Sequence, residues 1–420
     1  MNKNMKYLDY VIKSNNISNE IIDNNFKKLN IAILRSFTIE TIAPILKVQL
    51  YKEKIYSNLF IGEYNQYHQE LFNATSNLYK FNPDLIIIAI RLEELYPQLI
   101  SNFLDIKCNL SQVKNYIINE YRNIIEKAKN DLKCNIIIHN FMLPYNNYTS
   151  LYDFQDTDGQ INFLRKLNYE LVRLVNQYTG VYLVDVDNTS SLIGKLNIQD
   201  KKMWYLSKNP YKYEFYVLLA NEYTKYIKAI YGLKKKCIVL DLDNTLWGGI
   251  IGEDGLDGII LGEAYPGKCY KDFQQQLLKL KNRGVILAIC SKNNPEDVDE
   301  VLEKHPDMIL NRTDFACIKA SWNDKCTNIK TISEELNIGT DSIVFIDDNP
   351  IECELIKQQV PEITVINLSK NPIEYPDLIN SLNYFETINL TEEDLHKTDI
   401  YKAQINRNIL KNSYNNLDDY

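Results

Sequence analysis

Apolar residues come in short blocks along this chain, and the spacing between blocks alternates between two kinds. Asn30–Leu34, Asp84–Ile90, Asn135–His139 and Val181–Val186 are compact apolar runs, each followed by polar or turn residues. Runs of that length read as buried β-strands. Between them, Val113–Leu132 and Ile161–Tyr178 place apolar residues at helical spacing. After Lys234-Lys235-Lys236 the rhythm restarts with a strand at Cys237–Asp243 and a helix at about Lys268–Arg283. A strand at Val285–Cys290, helices at Pro295–Lys304 and Asn323–Asn337, and a strand at Ser342–Asp347 follow. Strands alternating with helices predict parallel sheets covered on both faces. The expected fold is therefore α/β in two domains, residues 1–232 and 233–390, each with its own buried strands, the second a Rossmann-like parallel sheet. Residues 391–420 are polar and helical in pattern, and stop at Asp418-Asp419-Tyr420 without a terminating signal, which reads as a truncated tail.

Composition narrows the class. A chain of 420 residues exceeds what one core accommodates, and 45% hydrophobic with 24% charged residues is ordinary globular protein. The net charge of −8 argues against nucleic-acid binding. The triple lysine at 234–236 reads as solvated, or as a small patch for an acidic partner. No stretch reaches the roughly 20 apolar residues that span a bilayer, and the charged N-terminus lacks a signal-peptide core. Eight cysteines without CxxC or metal spacing suit reduced thiols in the cytoplasm.

Three strand ends carry the chemistry. Val239-Leu240-Asp241-Leu242-Asp243-Asn244-Thr245 is an apolar strand closing on two carboxylates. Leu287-Ala288-Ile289-Cys290-Ser291 ends in a hydroxyl, and Val344-Phe345-Ile346-Asp347-Asp348-Asn349-Pro350 ends in paired acids. The carboxyl ends of parallel strands are where α/β proteins bind ligands. Phosphoryl transfer to a carboxylate brings anions together and needs a hard cation with oxygen ligands, Mg²⁺. Asp241, Asp347 with Asp348 beside it, and the carbonyl of Asp243 are the expected metal ligands. Asp241 is the expected nucleophile. The Asp243 side chain, free of the metal, is the acid that protonates the leaving group and the base that activates water. Thr245, Ser291 and Lys325 are expected on the phosphoryl oxygens, with Lys319 as second choice for the lysine. Each segment alone is commonly a turn or a cap; the three in this order, with a lysine between, point to phosphoryl transfer.

These segments resemble the four motifs of the haloacid-dehalogenase superfamily. The run Leu240-Asp-Leu-Asp-Asn-Thr-Leu-Trp-Gly-Gly-Ile-Ile-Gly-Glu-Asp-Gly255 resembles its FkbH-like branch, subfamily IIIC. So do Cys290-Ser-Lys-Asn-Asn294, Trp322-Asn-Asp-Lys325 and Phe345-Ile-Asp-Asp-Asn-Pro350. The resemblance implies action on 1,3-bisphosphoglycerate and loading of its glyceryl unit onto an acyl carrier protein. The alternative is a plain phosphatase of a sugar phosphate or phosphoprotein, and a third reading is a non-catalytic, metal-binding scaffold. The short spacings between the segments leave no room for a cap domain, so a lid is expected from the N-terminal domain or a docked carrier.

Two residues need separate weighing. Cys290 follows an apolar strand and so reads as a small hydrophobe. Beside Ser291, Lys292 and a helix start it also reads as a thiol of lowered pKa that takes the acyl group as a thioester. In the first domain, Ile31-Ala-Ile-Leu-Arg-Ser-Phe-Thr-Ile-Glu40 sets Ser36 just past a strand, similar to SGNH-type hydrolases. Glu63–Tyr67 and Asp84–Arg91 resemble the N-terminal domain of FkbH-like proteins. An SGNH hydrolase needs an Asp-x-x-His near the end of the domain to activate that serine. This chain reads Asp200-Lys-Lys-Met there, without histidine. The domain is therefore expected to bind substrate or partner rather than to hydrolyse esters.

Overall fold

The computed structural model describes residues 5–19 and 26–413. The chain forms two compact units that divide between Ile227 and Lys228. The expected tail beyond Ser413 lies outside the described residues, while Lys397–Ser413 is helical. No helix among the described residues is long and apolar enough to cross a membrane.

The first unit holds five strands: β1 Lys27–Arg35, β2 Ile55–Ile61, β3 Leu85–Ala89, β4 Asn135–His139 and β5 Val181–Val184. They lie in the order β2-β1-β3-β4-β5, and every pair is parallel. Alternate strand residues (Ala32, Leu34, Ile86, Ile88, Ile136, Ile138) share one buried face with the helices Leu110–Asp131 and Gln160–Val175. Each such buried side chain contributes about 1.5–3 kcal/mol.

The second unit repeats the plan with β6 Cys237–Leu240, β7 Ile286–Ser291, β8 Phe315–Ala320, β9 Ile343–Asp347 and β10 Thr364–Asn367. Their order is β10-β9-β6-β7-β8, again parallel throughout. The chain moves from β6 outward to β7 and β8, then returns to the other side of β6 for β9. Connections therefore leave β6 and β9 in opposite directions, and a crevice opens at their carboxyl ends.

The period of two along a strand sorts the core residues. Ile238, Leu240, Leu287, Ile289, Val344 and Ile346 face the helices Gly267–Lys281 and Pro295–Lys304. Cys237, Val239, Ile286, Ala288, Cys290, Ile343 and Phe345 face the opposite side. There Ile329 and Ile332 of the helix Lys325–Glu335, Ile356 of Pro350–Gln359, and Tyr401 and Ile405 of the last helix cover them.

One buried polar side chain ties the segment after β6 to the rest. Gln274 is fully buried; its Nε2 donates to Leu246 O at 2.8 Å, and its Oε1 accepts from Ile309 N and Leu310 N at 2.9 and 3.1 Å. Gln274→Leu keeps the volume but strands three buried backbone groups, each worth about 1–3 kcal/mol when left unpaired. Urea unfolding of this variant is expected to show a loss of about 3 kcal/mol or more.

Candidate active site

The crevice of the second unit is a cleft of about 850 Å³, with Asp241, Asp243, Ser291, Lys325 and Asp348 among its walls. Chain geometry brings them there. Asp241 N donates to Ile346 O at 3.0 Å, so the residue after β6 still travels beside β9. Asp347 is the last residue of β9; Asn349 then caps the helix Pro350–Gln359, its Oδ1 accepting from Ile351 N at 2.9 Å. Ser321 N donates to Ser291 O at 3.1 Å, which carries the chain past the end of β7 before it turns. Asp324 then caps the helix Lys325–Glu335 through Thr327 N at 3.0 Å. Lys325 thus opens a helix directly behind the carboxylates.

Its ammonium lies 2.9 Å from Asp241 Oδ2 and 2.7 Å from Asp347 Oδ2, with all three side chains buried or nearly so. Burial alone would lower the Lys325 pKa; the two carboxylates outweigh it and raise it, so the lysine is a cation. For Asp347, burial and then the charge of Asp241 push the carboxyl up against the pull of Lys325. Burial, with the charges of Asp347 and Asp241, pushes Asp348 up to about 6.

Oxygens of Asp241, Asp347 and Asp348 all lie within 4.8 Å of one another. Asp241 Oδ1 and Thr245 Oγ1 are buried with no hydrogen-bond partner. An unmet buried polar atom costs about 1–3 kcal/mol, and one on a carboxylate of this cluster marks a position built for a ligand. A donor set made only of carboxylate oxygens, one with a lone pair unclaimed, fits a small hard cation.

The Asp243 carboxylate is not part of that cluster. Its Oδ1 accepts from Trp247 Nε1 at 3.0 Å and Ile251 N at 3.1 Å, and its Oδ2 from Asn293 Nδ2 at 2.9 Å. Asn293 also donates to Ser291 Oγ at 3.1 Å. Asp243, Ser291 and Asn293 are one hydrogen-bonded unit, with acceptor capacity left on Oδ2. The loop after Asp243 is held open by unusual backbone: Asn244 has φ 53° and Gly249 φ 90°. Asn244 Oδ1 accepts from Gly249 N at 3.0 Å, and a Cβ at Gly249 would sit 2.5 Å from Asp254 Oδ2. Only glycine fits there.

Several expected residues meet and others do not. Asp241, Asp243, Ser291, Lys325 and Asp348 line one cleft, with Asp347 beside Asp241 and Asp348; Thr245 is buried with its hydroxyl unpartnered and is not among the residues lining that cleft. Lys319 is turned away to Glu335 at 2.5 Å, which leaves the lysine position to Lys325. Cys290 departs from the activated-thiol expectation. It sits on the opposite face of β7 from Ser291, fully buried, with Sγ 3.7 Å from Lys325 O. Burial raises its thiol pKa, and the Lys325 charge does not offset that. Of the two readings, the small buried hydrophobe is the one the packing supports. Asn293 was the site residue without a role in the motif reading; its place two residues after Ser291, in the bend between β7 and the helix that starts at Pro295, was the available signal.

In the first unit Ser36 is buried, and its Oγ accepts from Arg91 N at 2.9 Å. His139 is hydrogen-bonded to Tyr223 instead, and burial pushes its pKa down to about 3. Ser36 and His139 thus each have a partner other than one another.

A parallel sheet with acids after its central strand, a lysine opening a helix behind them and a second acid pair at β9 define a phosphatase-type enzyme of the haloacid-dehalogenase superfamily. Residues 236–395 match the family of NLI interacting factor-like phosphatases, and residues 30–228 match the N-terminal domain of FkbH. A crystal structure of the N-terminal part of the protein BF1531 from Bacteroides fragilis, containing a phosphatase domain complexed with Mg, is similar over both units. It is 30% identical, covers 91% of this chain and 99% of that one, and has a TM-score of 0.77. The chain belongs to the FkbH-like family. A HAD family enzyme from Bacteroides thetaiotaomicron, complexed with magnesium and inorganic phosphate, covers 32% of this chain and 95% of its own at 18% identity. Its TM-score of 0.23 is too low to bear on the reading. No curated protein matches the chain.

Two outcomes follow from the packing. Lys325→Met leaves two buried carboxylates without their cation, and breaking a buried pair costs about 3–5 kcal/mol. Its metal-free melting temperature is expected to fall sharply and to recover in part with millimolar Mg²⁺. Cys290→Ala is expected to cost about 1 kcal/mol and to leave hydrolysis of a simple phosphate ester within about twofold. Peptide mapping after iodoacetamide should find Cys290 unmodified in the folded wild type.

Proposed function

We propose that this enzyme is a Mg²⁺-dependent phosphatase of a small phosphorylated substrate, with Asp241 as its nucleophile. The observation that carries the reading is the Lys325 ammonium between Asp241 Oδ2 and Asp347 Oδ2, beside an Asp241 Oδ1 that is buried and unmet. Asp241, Asp347 and Asp348 are the residues that would hold Mg²⁺, with the main-chain carbonyl of Asp243. Bound there, the ion supplies charge neutralisation between an attacking carboxylate and a phosphoryl group.

The side chains supply the rest. An Asp241 oxygen forms the new bond to phosphorus as the bond to the leaving oxygen breaks. Lys325, Ser291 and Thr245 meet the phosphoryl oxygens. Asp243, held in place by Trp247, Ile251 N and Asn293, gives its proton to the leaving oxygen and later takes one from the water that cleaves the aspartyl-phosphate.

The finer reading is that the substrate is 1,3-bisphosphoglycerate and that the glyceryl group passes to an acyl carrier protein. The match of residues 30–228 to the FkbH N-terminal domain supports it. So does a cleft much larger than one phosphate, with Lys292 and Lys370 on its walls. Since Cys290 is buried away from the cleft, the carrier thiol itself is the group that attacks the acyl carbon, expelling phosphate. That burial equally suits the second reading, a plain phosphatase of a sugar phosphate or phosphoprotein. We place the protein in the cytoplasm, where its eight free cysteines would stay reduced.

Asp241→Asn is expected to lower phosphate release by at least about 10³-fold with the fold retained. Asp243→Asn should be inactive in turnover yet accumulate a phosphoryl adduct visible by intact mass. Residual turnover in Asp241→Asn above a small fraction would reduce Asp241 to a metal ligand. Exposing wild type and carrier protein to freshly generated 1,3-bisphosphoglycerate separates the two readings: a glyceryl mass on the carrier supports transfer, and free phosphate alone supports the plain phosphatase.

A further inference from the structure

The segment of the first unit that lacks the hydrolase histidine is not idle backbone. Asp200 caps a helix, its Oδ1 accepting from Met203 N at 2.9 Å, and the helix runs Lys201–Ser207. Asp200 N donates to Pro210 O at 2.9 Å and Lys212 N to Ile198 O at 2.8 Å, which clamps the two ends of the excursion together. Thr38 N donates to Lys208 O at 3.0 Å and ties it down from the side. Trp204 turns inward, with the Arg91 guanidinium 4.8 Å from its ring and Lys208 Nζ at the same distance. The result is a small projection with fixed geometry.

What it presents outward is apolar and basic at once. Met203, Tyr205 and Leu206 are 36%, 81% and 69% exposed. Lys201, Lys202, Lys208 and Lys212 are exposed around them. Lys195, just upstream, is paired with Asp187 at 2.5 Å, but none of these four forms an ion pair among the described residues. In a chain of net charge −8, three exposed lysines without an ion pair and a fourth, Lys208, held over Trp204, on the same short segment as three exposed apolar side chains, are out of keeping with a merely solvated helix.

We infer that the projection Lys201–Ser207, with Lys208 and Lys212, is a docking surface for an acidic protein. Charge complementarity selects the partner: lysines steer an acidic surface in, and the apolar side chains supply the contact. The geometry speaks against a bilayer. At about 100° per residue, positions 203, 205 and 206 spread around the helix instead of forming one stripe, and Trp204, the side chain a membrane interface favours, points inward. Taking an acyl carrier protein as that partner rests on the transfer reading above; the surface itself does not.

The test uses the whole protein and purified acyl carrier protein as the acidic probe, with binding followed by calorimetry at low and high salt. Wild type is expected to bind, with affinity falling as salt rises. The variant Lys201→Glu/Lys202→Glu/Lys208→Glu is expected to bind at least about tenfold more weakly, and Tyr205→Ser/Leu206→Ser should weaken binding with less change in salt dependence. Hydrolysis of a simple phosphate ester and the circular dichroism spectrum should be unchanged in both, which excludes misfolding. Carrier binding at wild-type strength in both variants would overturn the surface while leaving the transfer reading intact. No binding by wild type would overturn the surface, and the transfer reading would then stand or fall separately on whether a glyceryl mass appears on the carrier. Binding of wild type, but not the charge variant, to vesicles of anionic lipid in place of the carrier would replace the protein partner by a membrane.

Discussion

The second unit is organised around an electrostatic problem: two carboxylates, from strands that need not have met, brought to the same few ångströms. Two unit charges about 5 Å apart at an effective dielectric near 20 repel by roughly 3 kcal/mol. Lys325 turns that repulsion into attraction by lying within 2.9 Å of both. Its place depends on several things upstream: the pairing of Ser321 with Ser291, the cap by Asp324, and a helix that begins at the lysine itself. The cation is thus fixed by backbone geometry. A flexible side chain reaching in from a distance would have paid more side-chain entropy for the same contact.

Around this centre the polar atoms divide into two groups by what they already touch. Asp243 and Ser291 are bound to their neighbours through Asn293, and Asp243 also to Trp247 and Ile251. Asp241 Oδ1 and Thr245 Oγ1 are buried with nothing to bind. The first group is held still while the second awaits an incoming partner. Pre-organisation of that kind lowers the reorganisation needed when charge develops. The Gln274 bonds to Leu246, Ile309 and Leu310 extend it one layer further, from the loop after β6 into the core.

Central strands were legible from the sequence because both their faces are buried and they read as continuous apolar runs. β1, β3, β4, β6, β7 and β9 all do so. β2, β8 and β10, which the apolar runs did not mark, all stand at sheet edges, where half-exposed residues such as Tyr56 and Lys319 and the exposed Asn367 interrupt the pattern; β5, the fourth edge strand, was marked by its apolar run. The acids, the hydroxyls and the lysine could be placed because strand ends of an α/β sheet converge. Cys290 could not be settled by the same logic. Proximity in sequence to Ser291 suggested a shared cleft, but adjacent residues of a strand point to opposite faces. The exposure of the Lys201–Ser207 projection was invisible for a related reason: which of its side chains turn inward depends on Arg91, more than a hundred residues earlier.

The strand order of the second unit also sets a timetable for synthesis. β6 lies between β7 and β9, and β9 begins about a hundred residues after β6 ends. At roughly 5–20 residues per second, the central strand waits on the order of ten seconds for one of its two neighbours. Tyr401 and Ile405, which cover part of the Cys290 face, come later still. The residues of the first unit therefore leave the ribosome complete, followed by a second unit whose central strand lacks one of its two neighbours until roughly four fifths of the chain has emerged. During that interval one side of β6 is an open strand edge, the kind of edge that invites pairing with another chain.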